Sequence, residues 1–470
     1  MKHFRIFCLL VTSVFVGGSG VAFGHDAACG TLGDEDLILT LPCVVSGDKA
    51  YSATLLPIKR PDGNVGKWTL QAGSVKSASF VPGNNNCANF NPGVSLAVRC
   101  VLHDGALWSA EFGANYPVFD LRSYAKAVDN VGNSLATVPA GSILRVAYVD
   151  AFSPTFADIP DAGFAAPDIL IYAFVYSGLT SKVLDPLLIK AIKSAAPKQS
   201  AGSKTFISIG GQNGPSAITN TATVVSNVSA GIKALNDTLP KANQVVGVDL
   251  DLENSISAAT ISALAAGFKQ AGFLVSIAPQ LFATGWPIVV NPSDPSNLYL
   301  TSGETLNQYG AALASGKVDY IFVQAYNNGP GAIKIGGCDE TQTCLVGQLA
   351  TALNSLTKDS CAGSTGTPLC IPSTTRYAIG LPSIRGAAGE YSIWQPYSVA
   401  VSYEDQNILS ALAVEINKAP LNGKNGIMTW VLNADYSPAK DPYNDSYACT
   451  GGFSSVVFGA TQAMSCPAPP

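Results

Sequence analysis

From residue 143 to residue 435 the chain repeats one pattern eight times: a short apolar run, a turn and, in most cases, a helical stripe. The runs are "ILRVAYVDAF", "DILIYAFVYS", "KTFISIGGQN", "QVVGVDLDLEN", "FLVSIAPQL", "VDYIFVQAYNN", "RYAIGLPSI" and "GIMTWVLNAD". They are apolar almost continuously, as strands buried on both faces are, whereas a half-solvated strand alternates. Between them, stretches such as "DPLLIKAIKSAAPKQ", "ATISALAAGFKQAG", "LVGQLATALNSLTK" and "NILSALAVEINKA" space their apolar residues three and four apart, the period of an amphipathic helix. This alternation predicts an α/β fold, a closed (β/α)8 TIM barrel over residues 137–470. An open doubly wound sheet is the alternative, but no glycine-rich dinucleotide fingerprint follows the first strand.

Residues 25–136 follow a different grammar. Short alternating runs, among them "DLILTLPCVV", "AYSATLLPI", "GKWTLQAG" and "VSLAVRCVL", are separated by turn signals such as "RPDGNVG" and "PGNNN". A small all-β, sandwich-like domain is expected there, a carbohydrate-binding or accessory module of unassigned role. Trp68 and Trp108 are expected in its core; if exposed, they would stack on sugar rings. Residues 1–24 read as a signal peptide, with Lys2 and Arg5 before a short apolar run and Ala22-Phe23-Gly24 as the cleavage site. The run "IFCLLVTSVFV" is too short for a bilayer core of about 30 Å. A secreted or extracellular protein, periplasmic at most in transit and without membrane association after cleavage, is therefore expected. Removing Cys8 from the 11 cysteines leaves an even number, as disulfide-bonded exported proteins have. Pairing of sequence neighbours is preferred: Cys29 with Cys43, Cys87 with Cys100, Cys338 with Cys344, Cys361 with Cys370, and Cys449 with Cys466.

Several functions are excluded. The formal charge of −5 comes without any basic run, so no nucleic acid is expected as a partner. Of the three histidines none lies beyond His103, which rules out a Ser-His-Asp or Cys-His centre in the barrel. Chemistry there must use carboxylates, hydroxyls, amides or lysine.

The fourth run answers to that requirement. In "VVGVDLDLEN", Asp249, Asp251 and Glu253 fall on one face of a strand, and Val248, Leu250 and Leu252 on the other. A barrel strand has no wet face, so the acids would climb the interior, with Glu253 near the C-terminal rim. Burying a carboxylate costs several kcal/mol unless it is protonated or hydrogen-bonded. A calcium site would draw its oxygens from loops instead. Asp249 and Asp251 are expected to share a proton, and burial among negative neighbours to raise the pKa of Glu253.

These segments resemble the family 18 glycoside hydrolases, the chitinase group. The family signature D-G-x-D-x-D-x-E matches Val246 to Glu253 except at its first position, where Val246 stands for Asp. Ser208 to Gly211 ("SIGG") ends the third strand like the family's S-x-G-G. "APQ" (Ala278 to Gln280) ends the fifth, "QAYN" (Gln324 to Asn327) the sixth, and Trp430 lies on the eighth. The Q-x-Y-N form is similar to the plant hevamine-type and bacterial branch. The resemblance covers residues 140 to 470 and implies a retaining, substrate-assisted chitinase without metal or cofactor; a monomer is expected. By it, Glu253 donates the proton, Asp251 holds the acetamido N–H, Asp249 supports Asp251, and Tyr326 bonds the acetamido oxygen. Trp430 is the floor beneath the sugar. Gln324, Asn327 and Gln280 orient hydroxyls or the acetamido group, and Tyr148 and Phe174 either line the same sugar or pack in the core. Ser208 supports the acids by hydrogen bonding; Gly210 and Gly211 leave room for backbone approach; Trp286 and Trp394 extend the cleft. In the family the first Asp lies deepest and helps set the proton arrangement, so Val246 is expected to alter the pH profile. The expected partners are chitin or N-acetylglucosamine oligosaccharides. The alternatives are an endo-β-N-acetylglucosaminidase acting on N-glycans, peptidoglycan cleavage, and a non-catalytic lectin or adhesin.

Overall fold

The computed structural model describes residues 30–32, 37–46, 49–59, 65–77, 88–91, 95–103, 106–126, 137–139, 141–254, 256–283, 289–301, 307–328, 333–364, 366–387, 392–394, 402–421, 423–440, 442, 445, 448–461 and 464–466. Contacts divide the chain into two compact units, one ending at Ser134 and the other beginning at Leu135. The signal peptide, Trp286, Cys29 and Cys87 lie outside the described residues, as do the side chains of Trp108 and Cys100.

The first unit is all-β, as its turn spacing predicts, but its strands form one sheet rather than two stacked ones. Going round, Leu39–Ser46 pairs with Ala88–Asn91, then follow Ser95–His103, Ala106–Asn115, Val118–Lys126, Val65–Leu70 and Lys49–Lys59, which returns to Leu39–Ser46. Inward residues Leu39, Leu41, Leu55, Leu96, Val98, Phe112 and Phe119 fill the ring. Trp68 sits among them, 3% exposed and edge-on to Phe112 at 5.4 Å, so it is a core residue and no sugar platform.

The second unit is the predicted barrel. Its strands are β1 (Leu144–Asp150), β2 (Ile169–Ala173), β3 (Lys204–Gly210), β4 (Val245–Asp251), β5 (Leu274–Ile277), β6 (Tyr320–Gln324), β7 (Arg376–Pro382) and β8 (Gly426–Trp430). Each pairs in parallel with the next, and β8 returns to β1 through Leu144↔Gly426. The helices are α1 (Asp161–Ala165), α2 (Pro186–Ala195), α3 (Thr221–Asn236), α4 (Ala258–Gln270), α5 (Gly310–Ala314), α6 (Leu345–Leu356), α7 (Ser402–Lys418), α8 (Leu432–Tyr436) and α9 (Gly452–Val457). Local chemistry starts several of them. Proline opens α2 where its missing N–H costs nothing. The side chains of Asn220 and Ser257 accept the N–H of Thr223 and Thr260 at the starts of α3 and α4.

Strand alternation sorts the apolar residues into two cores. Val248, Leu250 and Leu252 pack outward with Ile261, Leu264 and Phe268 of α4. Val146, Ile171, Phe206, Phe322 and Met428 fill the interior, which is thus solid below the site. After β5 the chain forms a hairpin, Gln280–Ala283 against Leu298–Thr301, at the end of the barrel where Glu253 lies. Three expected disulfides are present, Cys338–Cys344, Cys361–Cys370 and Cys449–Cys466. No described helix is long and apolar enough to cross a membrane.

The register of β4 corrects one expectation. Thr205 of β3 pairs with Val245 and Phe206 with Gly247, so Val246 stands at a register shift, and it is 37% exposed. It lies away from the interior, so it has no part in the proton arrangement of Asp249 and Asp251.

Candidate active site

The deepest acid is Asp249, with no exposure at all. Strand register places Ser208 of β3 and Ser276 of β5 level with it on either side. Both hydroxyls donate to its carboxylate, at 2.6 and 2.7 Å, and the Tyr148 hydroxyl of β1 reaches across the interior to donate at 2.7 Å. Burial raises the Asp249 pKa while these three donors pull it down. Ser208, expected to support the acids by hydrogen bonding, and Tyr148, expected either to line the sugar or to pack in the core, thus both donate to Asp249. Tyr148 is 1% exposed, with its hydroxyl committed to Asp249.

One step up, Asp251 is 4% exposed and accepts a hydrogen bond from Gln324 Nε2 at 2.9 Å. The same nitrogen donates to the Ala278 carbonyl at 3.0 Å, so Gln324 is an acid-orienting group. Burial, then the charge of Glu253, then that of Asp249, holds Asp251 well above the usual carboxylate range. No hydrogen bond joins Asp249 to Asp251 among the described residues. Asp249 is held by the three hydroxyls.

Glu253 follows beyond the end of β4 and is half-buried. Burial raises its pKa, and the nearby Gln324 amide offsets part of the rise. Around it the backbone is closely held. The Gly211 N–H donates to the Asp251 carbonyl at 2.7 Å, and Asn254 Nδ2 donates to the carbonyls of Gln212 and Gly214 at 3.2 and 3.0 Å. Gly210 has φ of 122°, and a Cβ there would lie 1.8 Å from the Asp251 carbonyl oxygen; a Cβ at Gly211 would lie 2.5 Å from the Phe174 ring. The Tyr309 hydroxyl bonds to both backbone polar groups of Leu252.

Just past the end of β6 stands Tyr326, 6% exposed. Its hydroxyl is raised well above the phenol range by burial and by the charges of Asp251 and Glu253, and it has no hydrogen-bond partner among the described residues. Opposite, Phe174 stacks on Trp430 with centroids 5.8 Å apart and planes at 27°, and Tyr148 meets Trp430 edge-on at 5.7 Å. Trp430 itself is partly exposed. The site therefore combines a graded run of acids, a free phenol and a flat aromatic surface.

Gln280 is half-buried and level with Gln324, while Asn327 is exposed at φ of 59°. Beneath Asn327, Asn328 donates to the Gln324 carbonyl at 3.1 Å, and its N–H and side chain both donate to Glu340, at 3.1 and 3.2 Å. Trp394 is not in a cleft: it is 1% exposed, with its Nε1 donating to the Pro382 carbonyl at 2.9 Å. No cluster of His, Cys, Asp or Glu among the described residues is arranged to hold a metal ion.

Two buried acids in this unit set a pH dependence of stability. Glu340 is pushed up to about 7 and Asp435 to about 6, each mainly by burial. Each favours the folded state in full below its unfolded pKa, near 4, and loses that advantage as pH rises through its folded pKa. The thermal unfolding midpoint is expected to fall progressively from about pH 4 to about pH 7. Glu340→Gln should flatten the upper part of that fall, which melting curves across the range would show.

No protein-family model and no curated protein matches the chain. Among solved structures it is similar to a putative chitinase A from Streptomyces coelicolor, at 18% identity over 68% of this chain and 99% of that one, with a TM-score of 0.43. It is also similar to a GH18 chitinase from Cycas revoluta in complex with (GlcNAc)3, at 18% identity over 63% and 96% with a TM-score of 0.37. A third is the spore cortex-lytic enzyme SleL of Bacillus megaterium, at 14% identity over 61% and 70% with a TM-score of 0.36.

Proposed function

We propose that the chain is a family 18 type glycoside hydrolase, a secreted chitinase that cleaves β-1,4 bonds between N-acetylglucosamine units with retention. The observation that carries this reading is the inward run of Asp249, held by three hydroxyls, Asp251, aimed by Gln324, and half-buried Glu253, beside the Phe174–Trp430 stack. Such acids suit a cationic centre forming beside them, and a buried phenol such as Tyr326 suits a neutral acceptor such as an amide oxygen.

In the first step Glu253 gives its proton to the glycosidic oxygen. The bond from that oxygen to the anomeric carbon breaks as the carbonyl oxygen of the sugar's 2-acetamido group bonds to the same carbon, forming an oxazolinium ion. Asp251 accepts the acetamido N–H and balances the positive charge. Tyr326 donates to the acetamido oxygen, and Gln324 keeps Asp251 aimed. Trp430 and Phe174 offer their faces to the ring. In the second step the Glu253 carboxylate takes a proton from water, whose oxygen attacks the anomeric carbon from the side the leaving group left while the bond from that carbon to the acetamido oxygen breaks and the acetamide is restored, so the configuration is retained. Burial raises the pKa of Glu253 and so favours the protonated form that the first step needs, and the basic limb of the pH–rate curve is assigned to it.

The test is incubation with chitin oligosaccharides beside an N-glycopeptide and fully deacetylated chitosan, following product size and anomeric form. Initial β-anomers from chitin oligosaccharides support the reading. Cleavage of the glycopeptide alone would move the substrate to N-glycans, and equal cleavage of chitosan would overturn substrate assistance. Tyr326→Phe is expected to lower kcat by about 10²-fold, as loss of one donor to developing charge does, with little change in KM. Trp430→Ala should raise KM roughly tenfold, the worth of one stacked ring, in steady-state assays on the same oligosaccharides.

A further inference from the structure

We infer that Tyr309 is a positioning residue for the proton donor: its hydroxyl fixes Leu252, the one residue between Asp251 and Glu253, and so sets where the Glu253 side chain leaves the strand. The inference rests on the role proposed for Glu253.

Pairing of β4 gives out at this place. Its last partner on β3 is Gly210, opposite Asp251, and its last on β5 is Ile277, opposite Leu250. Leu252 thus has neither strand to take its backbone groups, and it is 1% exposed, so water does not take them either. The Tyr309 hydroxyl does both tasks. It accepts the Leu252 N–H at 3.0 Å and faces the Leu252 carbonyl, to which it donates, at 3.2 Å.

The two groups belong to different peptide planes. The N–H lies in the plane joining Asp251 to Leu252, and the carbonyl in the plane joining Leu252 to Glu253. One oxygen that holds both planes leaves little freedom to the backbone dihedrals of Leu252, and these dihedrals direct the next Cα–Cβ bond. The hydroxyl is itself well anchored. Tyr309 has no exposure, its ring lies in the outer apolar core with Leu252, and it immediately precedes α5. On the other side of Glu253, Asn254 is tied to the loop after β3. Glu253 therefore stands between two clamps. The second joins neighbouring loops, whereas the first comes from 57 residues away.

The titratable groups around this corner are Asp249 and Asp251 on β4, Tyr326 after β6, Tyr148 on β1 and Tyr309 itself. Burial is the main cause that raises Glu253. A turn freed from Tyr309 would let its carboxyl spend more time in water, and its pKa would relax downward.

Tyr309→Phe keeps the ring and removes the oxygen. In the full chain acting on chitin oligosaccharides, kcat should fall about 10- to 100-fold with KM within about threefold, as expected for a misplaced acid rather than a lost binding contact. The basic limb of the kcat/KM profile should move to lower pH. Tyr377→Phe is the control. That tyrosine is equally buried, and its hydroxyl bonds to the Ala350 carbonyl at 3.2 Å and Asn354 Oδ1 at 3.0 Å, between β7 and α6. It should lose comparable thermal stability without moving either kcat or the limb. If Tyr309→Phe behaves like Tyr377→Phe, Tyr309 is merely structural and the inference fails while the chitinase reading stands. Should Tyr309→Phe not fold, hydrogen exchange in the unaltered chain decides: the Leu252 amide must exchange slowly, and rapid exchange there overturns the inference. That readout does not depend on catalysis, so absence of chitin cleavage by the unaltered chain would strike the functional proposal separately.

Discussion

Glu253→Gln is expected to lower kcat on chitin oligosaccharides by about 10²- to 10⁴-fold, the usual worth of a positioned general acid, while oligosaccharide binding persists. The amide matches the carboxyl in shape, so the aromatic faces of Trp430 and Phe174 and the Tyr326 hydroxyl remain in place. What is lost is the proton for the leaving oxygen and, afterwards, the base for water. The variant also removes the charge that ranks second among the causes raising Asp251, so Asp251 should ionise more readily in it. Steady-state rates beside calorimetric titration with a chitin oligosaccharide would check both halves. Unchanged turnover would remove Glu253 from the chemistry and leave the barrel a sugar-binding protein.

Asp249→Ala is expected to destabilise the barrel unit by about 3–5 kcal/mol, a loss that has nothing to do with catalysis. Three hydroxyls, on Tyr148, Ser208 and Ser276, direct their protons at this carboxylate, and all three residues are buried to 1% exposure or less. Without their acceptor each loses its partner, and an unsatisfied buried polar group costs about 1–3 kcal/mol. Re-pairing among the hydroxyls, or entry of water, recovers part of the sum. Asp249→Asn should cost less, because the hydroxyls can rotate to accept from the amide. Denaturant unfolding of the two variants would show the order, and equal stability of Asp249→Ala and the unaltered chain would contradict the hydrogen bonding described.

The fold was legible because its signal is redundant. Eight continuous apolar runs repeat at helical intervals, and the observed strands fall within all eight. The inward ladder at Asp249, Asp251 and Glu253 was legible because a period of two is unambiguous. Val246 was misjudged because it stands at a register shift between β3 and β4 that leaves it 37% exposed, and sequence alone does not show such a shift. Ser276 went unread, though one serine in "FLVSIAPQL" is the kind of interruption that a buried acid on the neighbouring strand explains. Tyr309 left no such trace, since it stands outside the strands and meets Leu252 only through tertiary packing. Trp394 shows the opposite limit. Its place after a strand suggested a cleft, but an indole N–H satisfied by the Pro382 carbonyl fits a closed interior equally well.

The hydroxyls that hold Asp249 come from strands that are all made early, between Tyr148 and Ser276, whereas Gln324, Tyr326 and Trp430 arrive later in the chain. During synthesis every residue that holds Asp249 is therefore made before Gln324, Tyr326 and Trp430 exist. A nascent chain stopped after β5 carries all the members of the deep polar knot and none of those proposed to meet a substrate. Completion of the proposed site is thus deferred to the closing of the ring.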